Sequence, residues 1–386
     1  MKRRIYFDNA ATTAISPIAA QALAKSIIDL GNPSSLHGFG REVRLHLENA
    51  REEIASALGA LASEVIFTGS GTEANNTAIK GLFWHRGGRK VIITTAIEHH
   101  ASLDPIQWLL EHEGAQVRYL NVDRAGVIDL DHLQQLIAEE GEKIAFISFL
   151  HTNNELGTVQ DLESIARVIG EIPLHIDAVQ SIGKVPFDFH KSGALSAAIS
   201  AHKVGGPLGV GALLLRHGND LTPLIHGGGQ EREIRSGTLN APGIIAFAAA
   251  LTESRANFDE QSKKVRFLRE EMIKAIKRNI PDATINGRGD AAGIINVTFP
   301  GTSNEASLLL FDSEGIATST GSACSQGVAE TSHVLTGIGL SESEARASLR
   351  FSLNHLNTLE EIGEFESVVK DVIERARAAV NAGAKR

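Results

Sequence analysis

Ala194-Leu195-Ser196-Ala197-Ala198-Ile199-Ser200-Ala201-His202-Lys203-Val204-Gly205-Gly206 is a short apolar run that ends in a hydroxyl, an imidazole and an amine, then turns on two glycines. Lys203 has two readings here. It is an ordinary surface lysine at a strand end, or a shielded amine that loses its proton and condenses with an aldehyde. The heptapeptide 200–206 does not separate them. What separates them is how the neighbouring strands end.

Upstream, residues 64–68 read as a strand, and Gly69-Ser70-Gly71-Thr72-Glu73 turns at once into a helix with Ile79, Leu82 and Phe83 on one side. That turn is either a tight connection with a Thr cap or an anion site, because free N–H groups and the helix dipole favour phosphate. It is no Walker A loop, since no Gly-Lys-Ser/Thr follows, and no dinucleotide fingerprint, since the third glycine is missing. Strand 91–96 delivers Glu98-His99-His100, and Asp104-Pro105 is expected to start the next helix. Adjacent residues of an extended chain point to opposite faces, and His-Glu-x-x-His spacing is absent, so no metal site is expected. One functional imidazole or a hydrogen-bonded loop histidine remains. Strand 115–120, helix 130–139 and strand 144–150 continue the alternation into the polar loop His151-Thr152-Asn153-Asn154-Glu155-Leu156-Gly157. Helix 162–169 precedes a strand at 174–176 that ends at Asp177, with Gln180 three residues on, and residues 210–215 form one more apolar run.

The alternation predicts an α/β domain whose mainly parallel sheet is covered on both faces. Ligands in such sheets sit beyond the carboxyl ends of the strands. Gly71, Thr72, His99, Asn154, Asp177, Ser200 and Lys203 all fall there, and together they define one rim.

Outside that unit, Ser16-Pro17 should open a helix carrying Ile18, Leu23, Ile27 and Leu30, with Gly31 as its end. A longer helix is expected over 42–58. Residues 244–278 hold no glycine or proline and read as one long helix or two joined ones. A second, smaller α/β unit follows, with strands near 294–299, 315–317 and 348–353, helices near 305–312 and 359–379, and Arg350 inside the last strand. The expected division is 14–255 for the large domain, with 1–13 and 256–386 forming the small one that carries Cys324.

Composition narrows the class. The 386 residues suffice for a large core. The net charge of −9 argues against broad nucleic-acid binding. No stretch approaches a membrane span or a signal core, so a cytoplasmic protein is expected. The single cysteine excludes an intrachain disulfide and fits a reducing compartment. Cys324 is either a small buried residue or, given the loop composition of Ser319 to Gly327, an exposed nucleophilic thiol.

One cofactor would explain the rim. Pyridoxal phosphate needs an amine to hold its aldehyde as an imine, a carboxylate for its ring nitrogen, a phosphate site and something to cover the ring. Lys203, Asp177, Thr72 with Ser200 and His202, and His99 supply these in turn. The chain also resembles a known family along nearly its whole length. The carriers are Asp8-Asn9-Ala10-Ala11-Thr12-Thr13, Gly31-Asn32-Pro33-Ser34-Ser35, Gly71-Thr72-Glu73-Ala74-Asn75-Asn76, Glu98-His99, Asn153-Asn154-Glu155-Leu156-Gly157, His175-Ile176-Asp177-Ala178-Val179-Gln180, Ser200-Ala201-His202-Lys203, Arg235-Ser236-Gly237-Thr238, Gly321-Ser322-Ala323-Cys324 and Leu349-Arg350-Phe351-Ser352. These are similar to the cysteine desulfurases of the NifS/IscS type, class-V aminotransferases of PLP fold type I.

The resemblance implies a large domain on a seven-stranded, mainly parallel sheet plus a smaller C-terminal α/β domain. It implies that Lys203 holds the cofactor and moves protons, that His99 stacks on the ring as acid–base, and that Asp177 and Gln180 meet the ring nitrogen and hydroxyl. Gly71, Thr72, Ser200 and His202 would surround the phosphate, with Thr238 reaching it from the partner of a homodimer. Asn154 would lie near ring and substrate, and Arg350 would bind the substrate carboxylate. Cys324 would take sulfur from L-cysteine, leaving alanine and a persulfide for a sulfur-acceptor or scaffold protein in iron–sulfur cluster assembly or thio-modification. Any metal contact would be a passing one, between that persulfide and an iron–sulfur cluster. Two departures stand out: Ala201 replaces another small residue, and the chain ends soon after its last helix, without the tail some relatives use for a scaffold. Selenocysteine as substrate, an ordinary aminotransferase and a nucleotide-binding module are the rival readings. The aminotransferase leaves Cys324 unexplained, and the module leaves Lys203 and Asp177 unexplained.

Overall fold

The structure, a computed structural model, describes residues 4–321 and 331–383. The chain opens with β1 (Ile5–Tyr6), α1 (Pro17–Ser26) and α2 (Gly38–Leu58). The alternation then runs β2 (Val65–Thr68), α3 (Gly71–His85), β3 (Val91–Thr95), α4 (His100–His112), β4 (Gln116–Leu120), α5 (Leu130–Glu140), β5 (Ile144–Leu150), α6 (Leu162–Ile169), β6 (Leu174–Asp177), β7 (Ser196–Ser200) and β8 (Gly211–Leu215). Helices α7 (Ala241–Ala256) and α8 (Phe258–Asn279) lead to β9 (Thr284–Asn286), β10 (Ile294–Thr298), α9 (Asn304–Ser313), β11 (Ile316–Ala317), α10 (His333–Gly337), α11 (Glu342–Arg346), β12 (Ser348–Ser352) and α12 (Leu359–Gly383).

Seven strands form the central sheet in the order β2-β8-β7-β6-β5-β3-β4. β8 runs against both of its neighbours, and the other strands run one way. β2, β3, β5, β6, β7 and β8 are buried along their whole length, as strands covered on both faces must be. One face packs Ile93, Ile147, Ile176 and Ile199 against α2 and α7, and the other packs Ile92, Phe146 and Leu213 beneath α3 and α4. Gly211 allows the close approach at the β2–β8–β7 end, because an added Cβ would lie 2.5 Å from the Ser70 carbonyl carbon.

A separate core gathers Phe7, Phe299, Phe311, Phe351 and Phe365, with the Phe311 and Phe365 rings stacked 5.8 Å apart. It lies under the antiparallel sheet β12-β10-β9, and β1 joins it by pairing with β11.

Several boundaries differ from the sequence expectation. α1 stops at Ser26, whose hydroxyl bonds back to the carbonyls of Ala22 and Leu23 and competes with the helical ladder. Ile27, Ile28 and Leu30 then stand 66, 81 and 78% exposed. α4 begins five residues before Pro105, because His99 Nδ1 accepts the N–H of Ala101 at 3.0 Å and caps it. Pro105 sits inside the helix and costs it one rung. The long stretch after residue 240 takes the second of its two expected forms, two helices joined at Asn257.

Candidate active site

β2, β3, β5, β6 and β7 point their carboxyl ends at one cavity of about 550 Å³. β2 delivers Ser70, Gly71 and Thr72, β3 delivers Glu98 and His99, and β5 delivers Asn154 and Glu155. β6 delivers Asp177, with Gln180 following, and β7 delivers Ser200 and, through a single tight turn, His202 and Lys203. Arg350 on β12 and Thr318 to Gly321 close the opposite side.

Lys203 Nζ donates to the carbonyls of Ala10 and Ala11, each at 2.7 Å, so the N-terminal segment forms part of its seat. Burial, with Arg350 second, brings its amine down to about 8, against the pull of Asp177 and Asp8. A neutral amine is therefore accessible near physiological pH, as attack on a carbonyl requires. Asp177 is 2% exposed and takes the N–H of Val179 at 3.0 Å and of Asn75 Nδ2 at 2.7 Å. Burial pushes its carboxyl up, and nearby His99 pulls it back. Burial pushes the His99 imidazole down; its Nδ1 caps α4, which leaves the ring proton on Nε2 in the neutral form.

At the start of α3, Ser70 Oγ caps the N–H of Glu73 at 3.0 Å. Gly71 is wedged there: a Cβ would come 2.7 Å from Val179 and 3.2 Å from Ser200. Gly71, Thr72, Ser200 and His202 line the same cavity as the start of α3, whose free N–H groups favour an anion. His202 Nδ1 is steadied 3.1 Å from Thr12 Oγ1, and its imidazole is pushed down to about 4, by burial first and Lys203 second. Gln180 donates to the Ala10 carbonyl at 2.7 Å and accepts from Lys184 Nζ at 2.5 Å.

Across the cavity, Arg350 donates to Asp8 Oδ1 at 2.8 Å and to the Asn154 carbonyl at 3.0 Å. Among the described residues its Nε has no partner, nor has Asn154 Oδ1, and both are buried. Glu98 and Glu155 are buried carboxyls on the same walls, pushed up by burial to about 8 and about 7. Glu155 Oε2 accepts the Ser332 hydroxyl at 2.6 Å and lies against Gly321, where a Cβ would be 2.5 Å away.

Thr238 is exposed and does not line the cavity of this single chain. Cys324 lies outside the described residues, but Gly321 and His333 on either side of residues 322–330 both line the cavity. Sequence reasoning gave no role to Asn75, His175, Glu98, Glu155 or Asp8. Asn75 and His175 left one trace: each is a polar side chain inside an otherwise apolar helix face or strand.

A family model described as "Aminotransferase class-V" matches residues 5–365. The chain is 42% identical over 388 residues to an IscS-like cysteine desulfurase of Mycobacterium tuberculosis, with 98% of each protein covered. Among solved structures, a NifS-like protein superposes with a TM-score of 0.89 at 36% identity, over 96% of this chain and 100% of the other. A structure described as SspA in complex with cysteine superposes with a TM-score of 0.79 at 34% identity, over 93% of this chain and 100% of the other.

Proposed function

The chain belongs to the class-V aminotransferases, among the cysteine desulfurases of the IscS/NifS group, and from that membership we propose a pyridoxal-phosphate-dependent reaction with Cys324 as the sulfur acceptor within the chain. L-cysteine and the Cys324 thiol give L-alanine and a Cys324 persulfide. The substrate's Cβ–S bond breaks, an S–S bond forms, the sulfur is oxidised by two electrons and the carbon is reduced by the same two. The observation that carries this reading is the single cavity shared by Lys203, Asp177, His99, the α3 terminus and Arg350.

The residues present fit the cofactor. Lys203 offers the amine that holds its aldehyde, Asp177 an acceptor for its ring nitrogen and Gln180 a partner for its hydroxyl. Gly71, Thr72, Ser200 and His202 would hold the phosphate, and His99 would cover the ring. Asn154 Oδ1, buried without a partner among the described residues, is an acceptor open to the substrate. When bound, pyridoxal phosphate supplies an electron sink for the bonds broken at the substrate. Lys203, with its amine near 8, takes and returns a proton at the substrate's Cα. His99 moves a proton through Nε2. Arg350 fixes the substrate carboxylate through the donors that Asp8 and Asn154 leave free, a fork that a lysine would not reproduce. The cysteine-bound structure among the neighbours supports L-cysteine as substrate.

The same reading includes a division near residue 255, supported by two separate apolar cores and by the break at Asn257. It includes a homodimer in which Thr238 reaches the partner's phosphate site. Ile27, Ile28, Leu30, Leu36 and Phe39, five exposed large apolar side chains within 13 residues of sequence, support it. No helix of the described residues is long and apolar enough to cross a membrane, in keeping with a cytoplasmic enzyme that passes its persulfide sulfur to an acceptor protein.

Colour and product test the reading. The purified chain should be yellow and should form one alanine per sulfane sulfur. Cys324→Ala should keep the colour and lose the persulfide. A preparation unable to take up pyridoxal phosphate sinks the cofactor assignment, and sulfur delivery at full rate by Cys324→Ala sinks the role of the thiol.

A further inference from the structure

Behind Asp177 a file of polar side chains leaves the cavity and enters the apolar core. Asn75 Nδ2 donates to Asp177 Oδ2 at 2.7 Å, His175 Nε2 lies 3.0 Å from Asn75 Oδ1, and Ser196 Oγ lies 2.9 Å from His175 Nδ1. Asn75, His175 and Ser196 are fully buried. The fold sets their places. His175 and Asp177 are two apart on β6 and so share a face. Ser196 is the β7 partner of His175. Asn75 comes down from α3.

Such a file is stable only when every link has a donor on one side and an acceptor on the other. Two arrangements satisfy that. With Asp177 ionised, Asn75 presents its NH2 to the carboxylate, His175 donates from Nε2 to the Asn75 oxygen, and Ser196 donates to His175 Nδ1. With Asp177 protonated, every link reverses: Asp177 donates to the Asn75 oxygen, Asn75 donates to His175 Nε2, and His175 donates from Nδ1 to Ser196. Burial pushes the His175 imidazole down to about 3, with a backbone hydrogen bond at Ser196 pulling the other way, so it carries one proton and cannot satisfy both arrangements at once. The groups facing Asp177 are the Val179 N–H, His99 and Lys203, which favour its charge, and Glu98, which opposes it.

We propose that His175 is a positioning residue: by donating from Nε2 it turns the Asn75 NH2 toward Asp177 and keeps Asp177 an ionised acceptor aimed into the cavity. Its role toward the cofactor rests on the assignment of Asp177 to the ring nitrogen; the coupling between the Asp177 charge and the His175 tautomer does not. Without the Nε2 donor, Asn75 is free to turn its oxygen to Asp177, which then holds a proton and loses its pull on the ring nitrogen.

Two measurements test this. Histidine-selective 15N NMR on the full chain, with and without pyridoxal phosphate, should show His175 neutral with its proton on Nε2 from pH 6 to 9. A proton on Nδ1, or an imidazolium in that range, overturns the proposal. The second compares His175→Gln, whose amide can reach the same point with an N–H, against His175→Leu, which cannot. His175→Leu should shift the pH midpoint of the bound cofactor's visible band by about one unit and weaken cofactor retention roughly ten-fold. His175→Gln should stay within about two-fold of the parent. Equal behaviour of the two variants overturns the proposal, and where the leucine variant does not fold, the NMR result decides. A chain that never takes up pyridoxal phosphate breaks the cofactor assignment instead and leaves the NMR outcome standing.

Discussion

The two sides of the cavity are finished differently. On the β6 side, Asp177 is held by Asn75 and Val179, and the hydrogen bonds continue into the core through His175 to Ser196. On the opposite side, Arg350 and Asn154 bond to each other, and both keep a buried polar atom without a partner among the described residues. A buried polar atom left unmatched is costly. Asp177, with both oxygens engaged, suits a resident group, although Glu98 Oε2 near it has no partner among the described residues. A side that carries open donors and acceptors suits a ligand that comes and goes, because only its arrival relieves the cost. The contrast separates cofactor from substrate before either is in place.

Four substitutions would break or sharpen that contrast. The largest effect belongs to the resident side: Lys203→Ala should lower alanine formation by about 10³-fold or more and abolish the visible band. Turnover near the parent rate would remove Lys203 from the chemistry. On the transient side, Arg350→Lys keeps the charge and loses the fork. The KM for cysteine should rise roughly 10²-fold with kcat changed far less, and with the visible band retained. A loss confined to kcat would mean that Arg350 serves the resident group instead.

Glu155 gives a pH test on that transient side. Its folded carboxyl sits near 7, above the ordinary 4.5, so the folded chain keeps a proton that the unfolded chain releases across that interval. Stability therefore falls as pH rises from about 4.5 to 7. Glu155→Gln should remove about 2 kcal/mol of that loss, read as a smaller drop in unfolding midpoint between pH 5 and pH 8. An unchanged drop would assign the proton to Glu98, which is pushed up in the same sense. The smallest effect is at the anion corner. Gly71→Ala forces a methyl against Val179 and should cost about 1 kcal/mol, visible in thermal unfolding and in slower cofactor uptake. A neutral result there would mean that the corner yields easily.

What the sequence made legible follows from which forces act locally. Apolar runs closed by polar residues revealed the strand ends, and with them Lys203, Asp177, His99, Thr72 and Asn154. Helix α1 began where Ser16-Pro17 said it would, since capping is a local interaction. Its end was misread because Ile27, Ile28 and Leu30 carry helical spacing that nothing in the same chain rewards with burial. The start of α4 was misread because histidine is an uncommon cap, while Asp104-Pro105 imitates a common first turn. β9, three residues long, is too short for alternation to show. The file from Asp177 to Ser196 stayed hidden for a different reason. Asn75 and His175 lie 100 residues apart, and their pairing depends on α3 crossing β6, which no periodicity records.

The seat of Lys203 also has a consequence in time. Its amine rests on the carbonyls of Ala10 and Ala11, and Arg350 reaches Asp8 across 342 residues of chain. At roughly 5–20 residues per second on the ribosome, the segment around Asp8 waits on the order of 20–70 s for the strand that completes its surroundings. Through that interval Phe7 and the apolar residues near it have no core to enter. The segment around Ala10 is thus made well before Arg350 and is among the last to be seated. A bulky insertion just before Ile5 should slow the maturation of the enzyme more than the same insertion after α12.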